Sequence, residues 1–85
     1  MSTEQQWVLQ VNSLQKTFRF ASFEKAMAFM QAAAEGISQM NHHPEWSNVY
    51  NRVEVTLRTH DAGNSVNDKD YKLAEWLDEV FSKMQ

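Results

Sequence analysis

Apolar positions near the start of the chain follow a period of two, then switch to a helical period, and the same change recurs in the second half. Trp7, Leu9 and Val11 share one parity, as in a half-buried strand. Asn12-Ser13 marks a turn, after which Leu14, Lys16, Phe18 and Phe20 alternate with Gln15, Thr17 and Arg19. Two such runs joined by two turn-forming residues predict a β-hairpin, although no glycine is there to supply positive φ. Ser22 then has the chemistry of a helix N-cap, with Glu24 in the first turn. Phe23, Ala26, Met27, Met30, Ala33, Ala34, Ile37 and Met40 follow at helical spacing as one apolar stripe. Gly36 weakens the last turns by up to about 1 kcal/mol relative to alanine. The helix is expected to stop near Asn41, because a residue directly before Pro44 is pushed out of the α region.

Beyond the proline, Val49, Val53, Val55 and Leu57 fall on one parity, while Tyr50, Arg52, Glu54, Thr56, Arg58 and His60 fall on the other. That pattern predicts a half-buried strand from about Val49 to Thr59, bent or broken near Asn51. Residues 61–66 read as a loop. A second helix is expected from Asn67, with Asp68 and Asp70 complementing its dipole and Leu73, Leu77, Val80, Phe81 and Met84 on its buried face. Two amphipathic helices and several one-sided strands imply an α+β domain, an antiparallel sheet with helices on one face, in which a ββα pattern occurs roughly twice.

Composition narrows the picture. The 85 residues form one domain, 1–85, with 42% hydrophobic residues to build a core. A net charge of −3 with scattered basic residues argues against direct nucleic-acid binding. The absence of cysteine excludes a disulfide scaffold, a thiol nucleophile and a Cys-type zinc site. No signal-peptide pattern opens the chain, and no apolar run approaches the roughly 18 residues of a membrane span. A cytoplasmic protein that does not enter membranes is the expectation, and so small a domain is expected to gain stability by oligomerising.

All three histidines lie between positions 42 and 60: His42 and His43 beside Pro44, the only proline, and His60 at the end of the predicted strand. Imidazole both gives and takes protons near neutral pH, so three rings brought together would make a proton-transfer site. The plainer reading has His42 capping the first helix, His43 exposed and His60 on a polar face. A zinc site is a further alternative, although the spacing of HExxH is absent. Neither a nucleophile-elbow serine nor a glycine-rich phosphate loop is present. Trp46 and Tyr50 flank the first two histidines and either line a slot for a flat heterocycle or, for Trp46, simply pack.

The stretch from Asn41-His-His-Pro-Glu-Trp-Ser-Asn-Val-Tyr-Asn-Arg-Val to Leu57-Arg-Thr-His60 resembles the pterin-4a-carbinolamine dehydratase family. So do Leu14-Gln-Lys-Thr-Phe-Arg-Phe, Phe23…Ala26…Phe29-Met30 and Asp70-Tyr-Lys-Leu-Ala, so the resemblance covers nearly the whole chain. It implies a four-stranded antiparallel sheet with helices on one side, in ββαββα order, and a homodimer or homotetramer. It implies dehydration of 4a-hydroxytetrahydropterins to quinonoid dihydropterins, recycling the pterin of aromatic amino acid hydroxylases, with no metal and no organic cofactor. On matching positions, His42 and His60 would be the acids at the departing hydroxyl, with His43 binding the pterin and aiding N5 proton transfer. Asn41, Pro44, Trp46, Tyr50 and Asp70 would contact substrate, Asp70 alternatively serving only its helix N-terminus. The resemblance departs at Ser38, an uncharged residue where the family commonly carries an acidic one. A second reading follows: a weakly active or inactive member that binds a hydroxylase or a regulatory protein.

Overall fold

The computed structural model describes residues 6–10, 12–59 and 66–84. Its elements run β1 (Val8–Leu9), β2 (Leu14–Arg19), α1 (Phe23–Met40), β3 (Glu45–Val49), β4 (Arg52–Leu57) and α2 (Asp68–Lys83). The four strands form one antiparallel sheet in the order β1-β2-β4-β3. The α+β class and the ββαββα order are those expected from the sequence.

Register sorts the side chains between two faces. Phe18 pairs with Val53, Lys16 with Val55 and Leu14 with Leu57, and all the apolar members of these pairs are buried. Both helices pack on that face, contributing Ala26, Phe29, Ala33 and Ile37 from α1 and Leu73, Ala74, Leu77 and Val80 from α2. Phe18, Phe20, Phe29 and Phe81 meet at ring-centroid distances of 4.8–6.3 Å in tilted and edge-on arrangements, which suit aromatic quadrupoles. Lys16, the one charged residue in the covered rows of β2, carries its ammonium over the Phe18 ring to α2. There it lies 2.7 Å from Asp78, which also accepts from the Trp7 indole N–H at 3.0 and 3.1 Å.

Four details of the sequence reading change. The first strand is only Val8–Leu9, and Leu9 is 63% exposed although it pairs with buried Leu14, because it sits at the sheet edge beyond the helices' cover. Its connection spans 10–13 rather than Asn12-Ser13 alone, closed by the Gln10 N–H donating to the Ser13 carbonyl at 2.7 Å; Val11 lies outside the described residues. The strand expected from Val49 to Thr59, bent or broken near Asn51, is broken at Tyr50-Asn51, where the chain reverses to form a hairpin, β3–β4. Tyr50 takes φ 54°, and the Asn48 side-chain amide donates to the carbonyls of Tyr50 and Arg52, stabilising a turn that lacks glycine. Asn51 fastens that turn to the end of β2 by a reciprocal pair of 2.9 Å bonds with the Phe20 backbone. Val49 consequently faces away from the core and is half exposed.

The α1 stripe is also displaced. Phe29 is fully buried, whereas Phe23, Ala34 and Met40 are exposed. Gly36, read as a weakness, is a notch for Trp76. A Cβ there would come within 2.3 Å of the indole, whose N–H donates to the Ala33 carbonyl at 3.0 Å. Among the described residues, no helix is long and apolar enough to cross a membrane.

Candidate functional site

Local sequence sets up the two helix ends that frame the site. Asn41 ends α1 in the left-handed conformation (φ 54°, ψ 39°), its N–H donating to the Ser38 carbonyl at 3.1 Å; asparagine tolerates this position better than most residues. The reversal directs His42 inward, with its side chain 13% exposed, and leaves His43 exposed. At the other helix, Asn67 is the N-cap of α2: its side-chain oxygen accepts from the Lys69 N–H at 3.0 Å. Asp70 completes a capping box by accepting the Asn67 backbone N–H at Oδ2, 3.1 Å.

Tertiary packing then makes the cap something more. Asp70 is fully buried. Its Oδ2 also accepts the Thr59 hydroxyl at 2.8 Å, and its Oδ1 lies 2.6 Å from Nε2 of His42. The ring of one loop, the hydroxyl at the end of β4 and the first turn of α2 thus meet on one carboxylate. Thr59 was not singled out as a site residue from the sequence. The available signal was parity: it continues the inward row of Val53, Val55 and Leu57, and a polar group buried there needs a partner.

The arrangement has a chemical consequence. A carboxylate only accepts, so the nitrogen facing it carries the proton, and His42 donates from Nε2 to Asp70. Its Nδ1, with no hydrogen-bond partner among the described residues, is then the atom free to act. In the neutral ring Nδ1 takes a proton; in the charged ring it gives one back, with the Nε2 contact to Asp70 intact throughout. An oriented imidazole with one nitrogen committed is what general acid–base catalysis requires.

The remaining expected residues are placed as follows. Pro44 is half-buried beside His43. Trp46 faces the helix side opposite Val55 and packs partly on the core. Asn41 is exposed and serves the helix end. Tyr50, 67% exposed, occupies the opposite end of the β3–β4 hairpin, roughly 20 Å along the strand from Pro44. Within one chain it is therefore not part of the group around His42. His60 lies outside the described residues. Ser38 is exposed, and the carboxylate at His42 comes from Asp70 instead. Among the described residues, no group of three or more His, Asp or Glu side chains could hold a metal ion.

The profile of the family described as pterin 4 alpha carbinolamine dehydratase matches residues 1–80. The chain belongs to this family. Among curated relatives, a protein of Opitutus terrae provisionally named pterin-4-alpha-carbinolamine dehydratase is 50% identical over 74 residues, 87% of this chain and 76% of that one. One from Burkholderia pseudomallei, with the same provisional name, is 54% identical over 69 residues, 81% of this chain and 67% of its own. Of solved structures, a transcriptional coactivator/pterin dehydratase from Brucella melitensis superposes with a TM-score of 0.81 at 38% identity, covering 87% of this chain and 80% of that one. A pterin dehydratase-like protein described as a RuBisCO assembly factor of the alpha-carboxysome shares the fold (TM-score 0.77, 22% identity, 91% and 90% covered). For a pterin 4 alpha carbinolamine dehydratase family member, the His42–Asp70 pair lies within the segment whose motifs carry the resemblance.

Proposed function

We propose that this protein dehydrates 4a-hydroxytetrahydropterins to quinonoid dihydropterins in the cytoplasm, recycling the pterin of aromatic amino acid hydroxylases. The observation that carries this reading is the 2.6 Å contact between His42 Nε2 and the buried Asp70 carboxylate, in a chain of this family. The reaction breaks the C4a–O bond and removes the N5 proton, so one group gives a proton to the leaving hydroxyl while another accepts one. His42, through Nδ1, and His60, which follows Thr59 in sequence, protonate the hydroxyl; His43 holds the pterin and takes part in N5 proton transfer. Asn41, Pro44 and Trp46 border the substrate. Neither a metal nor an organic cofactor takes part: as a proton reaches the leaving hydroxyl and N5 loses one, the N5 electron pair forms the C4a=N5 bond and the C4a–O bond breaks to release water. The active species is a homodimer or homotetramer.

Stopped-flow decay of a 4a-hydroxytetrahydropterin tests the proposal. Acceleration over the uncatalysed rate at micromolar protein is expected; a rate equal to background overturns it. The second reading, a binding module for a regulatory protein or a hydroxylase, draws support from the Brucella relative, whose description pairs transcriptional coactivator with pterin dehydratase, and from the uncharged Ser38. It is the reading that a background rate would leave standing.

A further inference from the structure

We propose that Thr59 is a positioning residue of the His42 site: its hydroxyl holds Asp70 so that Oδ1 meets Nε2 of His42 and Nδ1 is left for the substrate. Its kinetic consequence rests on the proposed dehydratase reaction; its structural consequence does not.

Thr59 is 5% exposed, so its hydroxyl has little access to water and must donate within the protein. Two acceptors lie in reach, Asp70 Oδ2 at 2.8 Å and Asn67 Oδ1 at 3.0 Å, and a hydroxyl has one proton. The Asn67 oxygen already accepts from the Lys69 amide, whereas the carboxylate is the closer and stronger acceptor. The proton is therefore directed to Asp70. With the Asn67 N–H on the same oxygen, Oδ2 holds two donors, and Oδ1 is the oxygen left to face His42.

The origin of each donor gives Thr59 its importance. The Asn67 amide and Asp70 belong to the same helix start and move with it. Thr59 follows β4, the strand paired on both sides by β2 and β3. Its hydroxyl is the tie that refers the carboxylate, and through it the imidazole, to the sheet. A β-branched side chain restricted at χ1 suits that task. Without the tie the carboxylate can turn about its Cβ–Cγ bond, and the imidazole loses its preference for a proton on Nε2.

The test reads the His42 tautomer directly. In uniformly 15N-labelled protein, two-bond 1H–15N correlations of the imidazole distinguish the two nitrogens, with His42 assigned by its loss in His42→Gln. The neutral wild-type ring is expected to carry its proton on Nε2. Thr59→Val, which removes the hydroxyl at nearly constant shape, is expected to give a mixture of tautomers, and Thr59→Ser to restore the wild-type pattern. In the dehydration assay, kcat is expected to fall about tenfold in Thr59→Val and recover in Thr59→Ser, with KM little changed, the scale of one lost hydrogen bond. If the valine variant does not fold, Thr59→Ala is read the same way. A hydroxyl-free variant with the wild-type tautomer overturns the inference. Wild-type protein that shows the expected tautomer pattern yet no dehydration supports the positioning role and overturns the proposed function.

Discussion

The two helices begin with the same device and end with different duties. At α1, the Ser22 side chain accepts the Lys25 N–H at 3.2 Å at the surface. At α2, Asn67 and Asp70 do the equivalent work for the backbone, but Asp70 is fully buried and also engages Thr59 and His42. The difference lies in surroundings, since each cap is legible from residue type and spacing alone. A carboxylate already committed to a helix start is brought to its place by local structure and held in its orientation by the Thr59 tie, so a chain passing nearby can use its second oxygen. Helix capping thus supplies part of the preorganisation of the His42–Asp70 contact.

The largest effect expected on this contrast is from Asp70→Ala. It leaves the Asn67 N–H and the His42 Nε2–H without their acceptor and the Thr59 hydroxyl with only the Asn67 oxygen, and stability should fall by about 3 kcal/mol in urea unfolding. Turnover of the carbinolamine should fall by about 10²-fold or more in the stopped-flow assay. His42→Ala should separate the two duties, with a comparable loss of turnover but a stability cost of about 1 kcal/mol, because Asp70 keeps its two other donors. Ser22→Ala should lower stability by about 1 kcal/mol with turnover unchanged. If it lowered turnover as Asp70→Ala does, the contrast between a purely structural cap and a shared one would collapse. Smallest of all, Ser22→Gly should cost only about 0.3 kcal/mol, visible as a slight drop in melting temperature with no kinetic change.

Much of the fold could be read along the chain, because period and punctuation are local properties. Ser22, Asn41 and Asn67 stand at the three helix boundaries anticipated from capping chemistry and from Pro44. Periodicity allowed a bend or break near Asn51 but not the reversal into a β3–β4 hairpin, because Val49 and Val53 share a parity along one strand direction. Tyr50 at positive φ reverses the chain and sends Val49 to the opposite face. Nothing in a bulky aromatic announces a positive φ; the turn depends on the Asn48 side-chain bonds and on the Asn51 link to Phe20, partners remote from Tyr50's own preferences. Gly36 misled in the same way, since its propensity is a property of the helix and its notch a property of Trp76, 40 positions later.

The candidate site divides along the same line. Residue types alone determined that proton-transfer chemistry, if any, would centre on His42, His43 and His60, and that Asp70 would stand in the first turn of a helix. Only the tertiary structure decided that Asp70 turns one oxygen to His42 and the other to Thr59, that His43 faces outward, and that Tyr50 lies at the far end of its hairpin. Capping and periodicity act over three or four residues and are written into short stretches of sequence. A hydrogen bond spanning 28 positions depends on how the sheet and helices pack, and no local pattern encodes it.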